Sequence, residues 1–254
     1  MLFTRFPINM SRRDAYKLLA SPYNMHAAIS CSFPPSENRA DNSNGRILWR
    51  IDREENGVHI LYIVSPDEPS LVGLDEQIGW PDLSQQWATR SYDSFLNNIA
   101  NGQTYTFRLF ANPTLNRSTR GGASDLASRT GASKRIGHLT ALQNAAWLIG
   151  QEAYENTDVE IPALFINHGQ NRAERNGFKV MRDLAGNPLL TVSQMGKRNF
   201  RQGNKGRSIT ISVAQYDGVL EVTNAEALKF ALTHGIGHAK GFGCGLLTIA
   251  PLRG

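Results

Sequence analysis

Residues 21–26 place a phenol and an imidazole one helical turn apart. Their sequence, SPYNMH, begins with Ser21 and Pro22, two residue types favoured at the start of an α-helix. Tyr23 and His26 are three residues apart, so on a helix their side chains are neighbours, about 5–6 Å apart at Cβ. Imidazole, with a reference pKa of about 6.5, suits proton transfer near neutral pH, and a phenol can orient an attacking group. A lone histidine at a helix border is more often structural, so both interpretations stay open at this point.

Other catalytic arrangements are missing from the sequence. It contains no carboxylate cluster of the two-metal nuclease kind and no GxSxG motif. Its two cysteines, Cys31 and Cys244, have no CxxC or Cys/His pattern around them, so we expect no thiolate metal site, no redox chemistry and no cofactor. If the chain cleaves RNA, the 2′-hydroxyl of the RNA itself can serve as the nucleophile. That reaction needs proton transfer and charge stabilisation but no metal ion.

The charge of the chain, +5 overall, is strongly segregated. Residues 51–111 hold three basic and nine acidic residues, whereas residues 172–207 hold nine basic and two acidic ones. A smaller basic run occupies residues 117–135. Concentrated like charges repel one another unless a polyanion offsets them, which favours a nucleic-acid surface over solvated loops. The candidate RNA-binding cations in these runs are Lys197, Arg198, Arg201, Lys205, Arg207, Lys134 and Arg135.

The segment GIGHAKGFGCG, residues 235–245, has the glycine content of a nucleotide-binding loop but the wrong context. In such loops the glycines follow a strand and open a helix, whereas here a predicted helix precedes them and a strand follows. His234 and His238 have zincin-like spacing without the glutamate, so we expect no metal site. The glycines allow backbone amides to approach RNA, with His238 and Lys240 as further candidate RNA-binding residues. The alternative is a tight helix-to-strand crossing packed on the first domain.

Hydrophobic periodicity in the first half predicts a βαββαβ order, the ferredoxin-like unit. The Asn56-Gly57 dipeptide marks a tight hairpin between two β-rich runs. The elements predicted there are a strand at 2–8, helices from 11 and from 21, strands at 46–52 and 58–64, a helix at 83–100 and a strand at 103–110.

The second half predicts a less regular unit of the same kind. A helix at 139–155 and a capped helix at 224–235 alternate with strand-like runs. The fold class is therefore α+β, with two tandem ferredoxin-like (RRM-like) domains. We expect the N-terminal domain at 1–114, a basic flexible linker at 115–137 and the C-terminal domain, with a basic hairpin, at 138–254.

Several of these segments resemble one family, the CRISPR RNA-processing endoribonucleases of the type I-E Cascade complex (the CasE family). The resemblance rests on SPYNMH followed by SFP, on FRLFANPT and on GVLEVTNAEALKFALTHGIGHAKGFGCGLLTIAP. It implies metal-independent cleavage of precursor RNA at the 3′ base of the CRISPR repeat hairpin, and retention of the product with other Cascade subunits. It also implies that Tyr23 and His26 are the catalytic pair, assisted by a basic residue among positions 197–207.

Two other functions remain open on the sequence. The chain could be a non-catalytic RNA-binding subunit of a ribonucleoprotein complex, or a metal-dependent nuclease, although the missing acidic cluster disfavours the second. No segment approaches the roughly 20 apolar residues of a membrane span, and the first ten residues are interrupted by Arg5 and Pro7. We therefore expect a cytoplasmic protein with no membrane partner, and the family resemblance implies CRISPR repeat RNA as its partner.

Overall fold

The computed structural model describes residues 1–34, 45–82, 86–117, 134–137, 140–161, 171–203 and 206–252. Within these residues the chain forms two main antiparallel sheets, one of four strands and one of five, and a small two-stranded sheet. No helix of the described residues is long and apolar enough to cross a membrane.

The first sheet is a ferredoxin-like unit in which the first strand lies between the third and the fourth. Its strand order is β2-β3-β1-β4, and the helices α1, α2 and α3 connect the strands. The Asn56-Gly57 hairpin between β2 and β3 is confirmed, with Gly57 at φ +83°. The elements are β1 (Leu2–Ile8), α1 (Arg13–Ala20), α2 (Pro22–Cys31), β2 (Leu48–Arg53), β3 (His59–Ser65), α3 (Val72–Ile78) and β4 (Ala88–Ser91).

The helix predicted at 83–100 is wrong over most of its length. Residues 83–85 lie outside the described residues, β4 pairs with β1, and the helix that follows, α4 (Asp93–Asn97), is short. Trp87, Phe95 and Ile99 have a near-helical spacing in the sequence. Phe95 is in the short helix and Ile99 in the turn after it. The prediction extended the helix too far because the polar residues of β4 would also fit solvent-facing positions of a helix.

The second sheet repeats the same strand order with one addition. Its order is β11-β5-β10-β8, and the long strand β9 pairs with β10. The first part of the basic segment, up to Arg201, belongs to this long strand. The elements are β5 (Thr104–Ala111), β6 (Thr114–Arg117), β7 (Lys134–Gly137), α5 (Ala141–Ile149), α6 (Arg172–Arg175), β8 (Phe178–Val180), β9 (Leu190–Arg201), β10 (Ser208–Val222), α7 (Ala225–His234) and β11 (Leu247–Pro251).

The fold class is thus confirmed, but the strand expected to close the first unit opens the second. β5 pairs with β10 on one side and with β11 on the other. Its alternating pattern identifies a strand without saying which strands will be its neighbours. Residue 114 therefore does not separate the two sheets. On either side of the predicted linker, β6 (Thr114–Arg117) pairs with β7 (Lys134–Gly137), and residues 118–133 are outside the described part of the chain.

Candidate active site and RNA interface

The helix α2 begins as the sequence predicts. The Ser21 hydroxyl accepts a hydrogen bond from the backbone N–H of Asn24 at 3.3 Å, and Pro22 occupies the first helical position. Met25 and Ile29 are buried in the core of the first unit. These contacts fix the rotation of the helix, so that Tyr23 and His26 face the second unit.

His26 is half-buried against the glycine-rich loop. A Cβ built on Gly241 would lie 3.5 Å from its Nε2 atom, so the loop backbone approaches the edge of the imidazole. The Nδ1 atom is buried and has no hydrogen-bond partner among the described residues. Burial lowers the pKa of His26 below its usual 6.5, so the imidazole is neutral at pH 7 and can accept a proton.

Tyr23 packs against a small aromatic cluster of the second unit. The cluster contains Phe110 of β5 and Phe200 of β9, and Phe242 packs on it with a ring-centroid distance of 4.9 Å to Phe200. Cys244 is buried in the same cluster, which raises the pKa of its thiol to about 12 and leaves it without nucleophilic character. Because both Tyr23 and His26 contact the second unit, the candidate site is formed by the two units together.

The glycine-rich loop is the tight crossing that the sequence left as an alternative. It runs from α7 to β11, and its two ends are joined by a 2.9 Å hydrogen bond from Ile236 N to Gly245 O. Gly243, at φ +79°, lies so close to Trp49 of the first unit that a Cβ there would be 2.7 Å from the indole ring. The packing on the first domain is therefore confirmed. His238 is exposed, and Lys240 is half-buried, which lowers the pKa of its amine.

The predicted RNA-binding cations are divided between two faces of β9. Arg198 is on the same face as Phe200, and its guanidinium lies 4.7 Å from the centre of the Phe110 ring. Lys197 and Arg201 are exposed on the opposite face. Arg198 is therefore on the other face of β9 from Lys197 and Arg201, because side chains of a strand alternate.

For the other predicted RNA-binding cations, the structure describes fewer side chains. Arg207 is exposed, and Lys205 lies outside the described residues. Lys134 and Arg135 are in β7, whose backbone pairs with β6. Among the described residues, no group of three or more His, Cys, Asp or Glu side chains is placed to hold a metal ion.

Sequence reasoning missed the aromatic cluster and the position of Trp49. The local signal for the first was the alternation in KRNF, where Arg198 and Phe200 are two residues apart and so share a face of the strand. Trp49 had no such signal, because its neighbour Gly243 is almost 200 residues away along the chain.

The two units are held together by a buried arginine. Arg50 of β2, 3% exposed, donates two hydrogen bonds to Asp52 and one each to the carbonyls of Arg108 and Leu246, which belong to the second unit. It also donates to the hydroxyl of Thr248 at 2.8 Å. These bonds fix the position of the second sheet relative to the unit that carries His26.

Three comparisons place the chain among known proteins. The CRISPR-associated endoribonuclease Cse3 of Thermus thermophilus is 26% identical over 258 residues, which cover 99% of this chain and 100% of that protein. A structure of Thermus thermophilus Cse3 bound to an RNA representing a pre-cleavage complex is similar in fold, with a TM-score of 0.66 at 23% identity over 98% of both chains. The Cascade subunit CasE of Escherichia coli is 47% identical over 47 residues, 18% of this chain and 24% of that protein. The family model described as CRISPR associated protein matches residues 1–251, and the chain therefore belongs to this family.

Proposed function

We propose that the chain is a metal-independent endoribonuclease that cleaves CRISPR precursor RNA at the 3′ base of the repeat hairpin and stays bound to the product as a Cascade subunit. The observation that carries this proposal is a neutral, half-buried His26 one turn from Tyr23, facing a cationic strand and a backbone loop of the second unit. The names of the relatives, an endoribonuclease and a Cascade subunit, support the same function.

In this reaction the RNA supplies its own nucleophile. His26 accepts the proton of the 2′-hydroxyl, the 2′-oxygen forms a bond to phosphorus, and the bond from phosphorus to the 5′-oxygen breaks. The 5′-oxygen takes up a proton from water and leaves as a hydroxyl, while the upstream product carries a 2′,3′-cyclic phosphate. Tyr23 orients the attacking group. Arg198, whose guanidinium lies 4.7 Å from the centre of the Phe110 ring in the cluster that Tyr23 contacts, can stabilise charge on the phosphate.

RNA lacking the 2′-hydroxyl just before the cut should bind but remain uncleaved. Full-length ribose substrate should be cleaved equally well in excess EDTA, because no step uses a metal ion. Gel analysis of both substrates with enzyme in excess measures the two effects. Cleavage of the deoxy substrate at the normal rate would rule out 2′-hydroxyl attack, and a rate lost in EDTA and restored by Mg²⁺ would indicate a metal-dependent nuclease. Binding without any cleavage would indicate a non-catalytic RNA-binding subunit.

The exposed face of β9 should bind the phosphates of the hairpin. Changing Lys197 and Arg201 together to alanine should weaken binding and reduce the slope of log Kd against log salt by roughly one for each phosphate that is no longer neutralised. Lys179→Ala is the matched control, because that exposed lysine is paired with Glu221 at 3.1 Å. An unchanged slope for the double variant in a salt titration would place the RNA on another surface.

A further inference from the structure

The strand that carries the basic segment contains a β-bulge. The register of β9 against β10 shifts between Val213 and Gln215, so that Gln194 and Met195 of β9 lie opposite the single residue Ala214 of β10. Gln194 has a φ of +47°, in the left-handed region that residues other than glycine rarely adopt. An extra residue with such a backbone bends a strand and changes the direction of the side chains that follow. The basic part of β9 begins directly after this bulge.

The bulge determines which face of the sheet Arg198 is on. Val192, before the bulge, packs against the large core that includes Leu109, whereas Phe200, after it, belongs to the small aromatic cluster that includes Phe110. Leu109 and Phe110 are consecutive residues of β5, so the two groups are on opposite faces of the sheet. In an uninterrupted strand Val192 and Phe200 would share one face. The extra residue reverses the alternation and directs Arg198 toward the candidate site.

The Gln194 side chain is fixed by a hydrogen bond to the neighbouring strand. Its amide N–H donates to Oε1 of Gln215 at 2.8 Å, and the amide of Gln215 donates to Asp217 at 2.6 Å. Because a carboxylate only accepts hydrogen bonds at neutral pH, Gln215 turns its nitrogen toward Asp217 and its oxygen toward Gln194. Gln215 is 7% exposed, so its amide depends on these two partners.

The same chain of polar contacts reaches the first unit. Asp217 accepts a hydrogen bond from Arg108, and the guanidinium of Arg108 lies 3.6 Å from the Asp52 carboxylate. Asp52 accepts two hydrogen bonds from Arg50, the residue that joins the two units. Gln194 is thus connected through side chains to the contact that fixes the second sheet relative to the unit carrying the candidate catalytic helix.

The second residue of the bulge is held from the other face. The Met195 sulfur accepts a hydrogen bond from the side-chain amide of Asn144 in α5 at 3.3 Å, and Asn144 is 1% exposed. Both residues of the bulge therefore have a partner, Gln194 in β10 and Met195 in α5. A left-handed backbone at a residue other than glycine costs free energy and persists where surrounding contacts hold it.

We propose that Gln194 is a positioning residue for the reaction, and that its hydrogen bond to Gln215 holds the bulge and so keeps Arg198 directed at the candidate site. The effect on cleavage rests on the function given above, whereas the effect on the position of Arg198 does not. Gln194 and Arg198 both line a cavity of about 430 Å³ to which the two units contribute. The guanidinium therefore has space to move when the bulge is not held.

The position of Arg198 matters because charge stabilisation requires a group that is already in place. A cation stabilises the charge that develops on the phosphate only if it lies next to that charge in the transition state. A displacement of about 1 Å can reduce a rate about 10²-fold. Gln194 acts through Arg198 and needs no contact with the substrate.

The first variant is Gln194→Gly, which removes the side chain and leaves a residue that adopts a positive φ without strain. Cleavage of the ribose repeat RNA, measured in a single turnover with the full-length protein at saturation, should slow by about 10- to 100-fold. The urea midpoint should change little, because relief of backbone strain offsets the greater freedom of glycine in the unfolded chain. Asn156→Gly is the matched control: Asn156 is exposed, has a φ of +59° and is outside β9, so this change should leave the rate unaltered.

A double variant distinguishes positioning from a general structural role. Arg198→Ala alone should lower the rate by about 10²- to 10³-fold, and adding Gln194→Gly should lower it no further, because the group that Gln194 positions is gone. Gln215→Leu breaks the same hydrogen bond without changing residue 194 and should slow cleavage by a similar factor, so the test does not depend on one variant folding. Equal losses from Gln194→Gly with and without Arg198 would overturn the proposal. Rates within threefold of wild type for both single variants at 194 and 215 would overturn it as well.

Crystal structures separate this proposal from the proposed function. The Arg198 guanidinium should lie over the Phe110 ring in the wild-type protein and leave it in Gln194→Gly. If the wild-type protein cuts no RNA but Arg198 is displaced in the variant, the endoribonuclease function fails and the positioning of Arg198 stands. If Arg198 stays over the Phe110 ring in the variant, the positioning proposal is overturned, and cleavage by the wild-type protein still supports the proposed function.

Discussion

Replacing His26 by alanine should reduce the single-turnover rate of repeat cleavage by about 10²- to 10⁴-fold, the usual cost of losing a proton-transfer group. The dissociation constant should change by only a few fold, because affinity for the hairpin depends mainly on distant cations. The helix start at Ser21 and Pro22 is independent of this side chain, so we expect little loss of stability. Radiolabelled repeat RNA with enzyme in excess measures both quantities.

Controls for this prediction exist within the chain. His234→Ala removes an imidazole that stacks on Phe230 of α7 and takes part in none of the contacts described above for Tyr23 and His26, so it should leave the rate unchanged. Tyr23→Phe should slow cleavage less than His26→Ala does, because only the hydroxyl is lost. A His26→Ala rate within threefold of wild type would assign this histidine a structural role.

The pH dependence of the same reaction tests the direction of proton transfer. A histidine that acts as a base is active when neutral, and the pKa of His26 is lowered by burial. The midpoint of the rise in the wild-type rate should therefore lie below pH 6.5, and the rate should level off toward pH 8. A rate that falls through this range would indicate that the protonated imidazole is the active form.

Local features of the sequence predicted local features of the structure. The residue types at Ser21 and Pro22 predicted where α2 begins, and the Asn56-Gly57 dipeptide predicted a hairpin, since both depend on interactions within a few residues. That Tyr23 and His26 are one turn apart on α2 followed from helical geometry. The ferredoxin-like class was also predicted from the order of elements, although β4, which closes the first sheet, had been predicted as part of a helix and β5 had been assigned to the wrong unit.

What depended on distant contacts could not be predicted. β5 reads as a strand from its alternation, but its neighbours β10 and β11 are more than 90 residues further along. The lowered pKa of His26 arises from burial on folding, to which a loop 215 residues later contributes. Trp49, Phe110 and Arg198 line one cavity because the two units pack against each other. No local sequence pattern predicts this packing.

Replacing Arg50 by alanine should lower the free energy of unfolding by about 3–5 kcal/mol, the range found when one partner of a buried ion pair is removed. The Asp52 carboxylate would remain buried at 8% exposure, with Arg108 at 3.6 Å as its nearest remaining cation among the described residues. The carbonyls of Arg108 and Leu246 would each lose a donor as well. Urea denaturation followed by fluorescence measures the loss.

Arg5→Ala is the matched control for this change. Arg5 forms an ion pair with Glu54 at 3.3 Å, but both side chains have at least a third of their surface exposed, so the cost should stay below about 1 kcal/mol. The same urea midpoint for the two variants would contradict the importance given to burial.

A double variant separates the buried charge from the contacts between the units. Arg50→Met with Asp52→Leu removes both charges and should be more stable than Arg50→Met alone, because no uncompensated carboxylate remains. Yet the double variant still lacks the hydrogen bonds from β2 to the carbonyls of Arg108 and Leu246, so the two units lose that constraint on their relative position. Since His26 belongs to one unit and Arg198 to the other, we expect slower cleavage from a protein whose stability is largely restored. A double variant that cuts the repeat at the wild-type rate would show that the Arg50 contacts stabilise the fold without positioning the site.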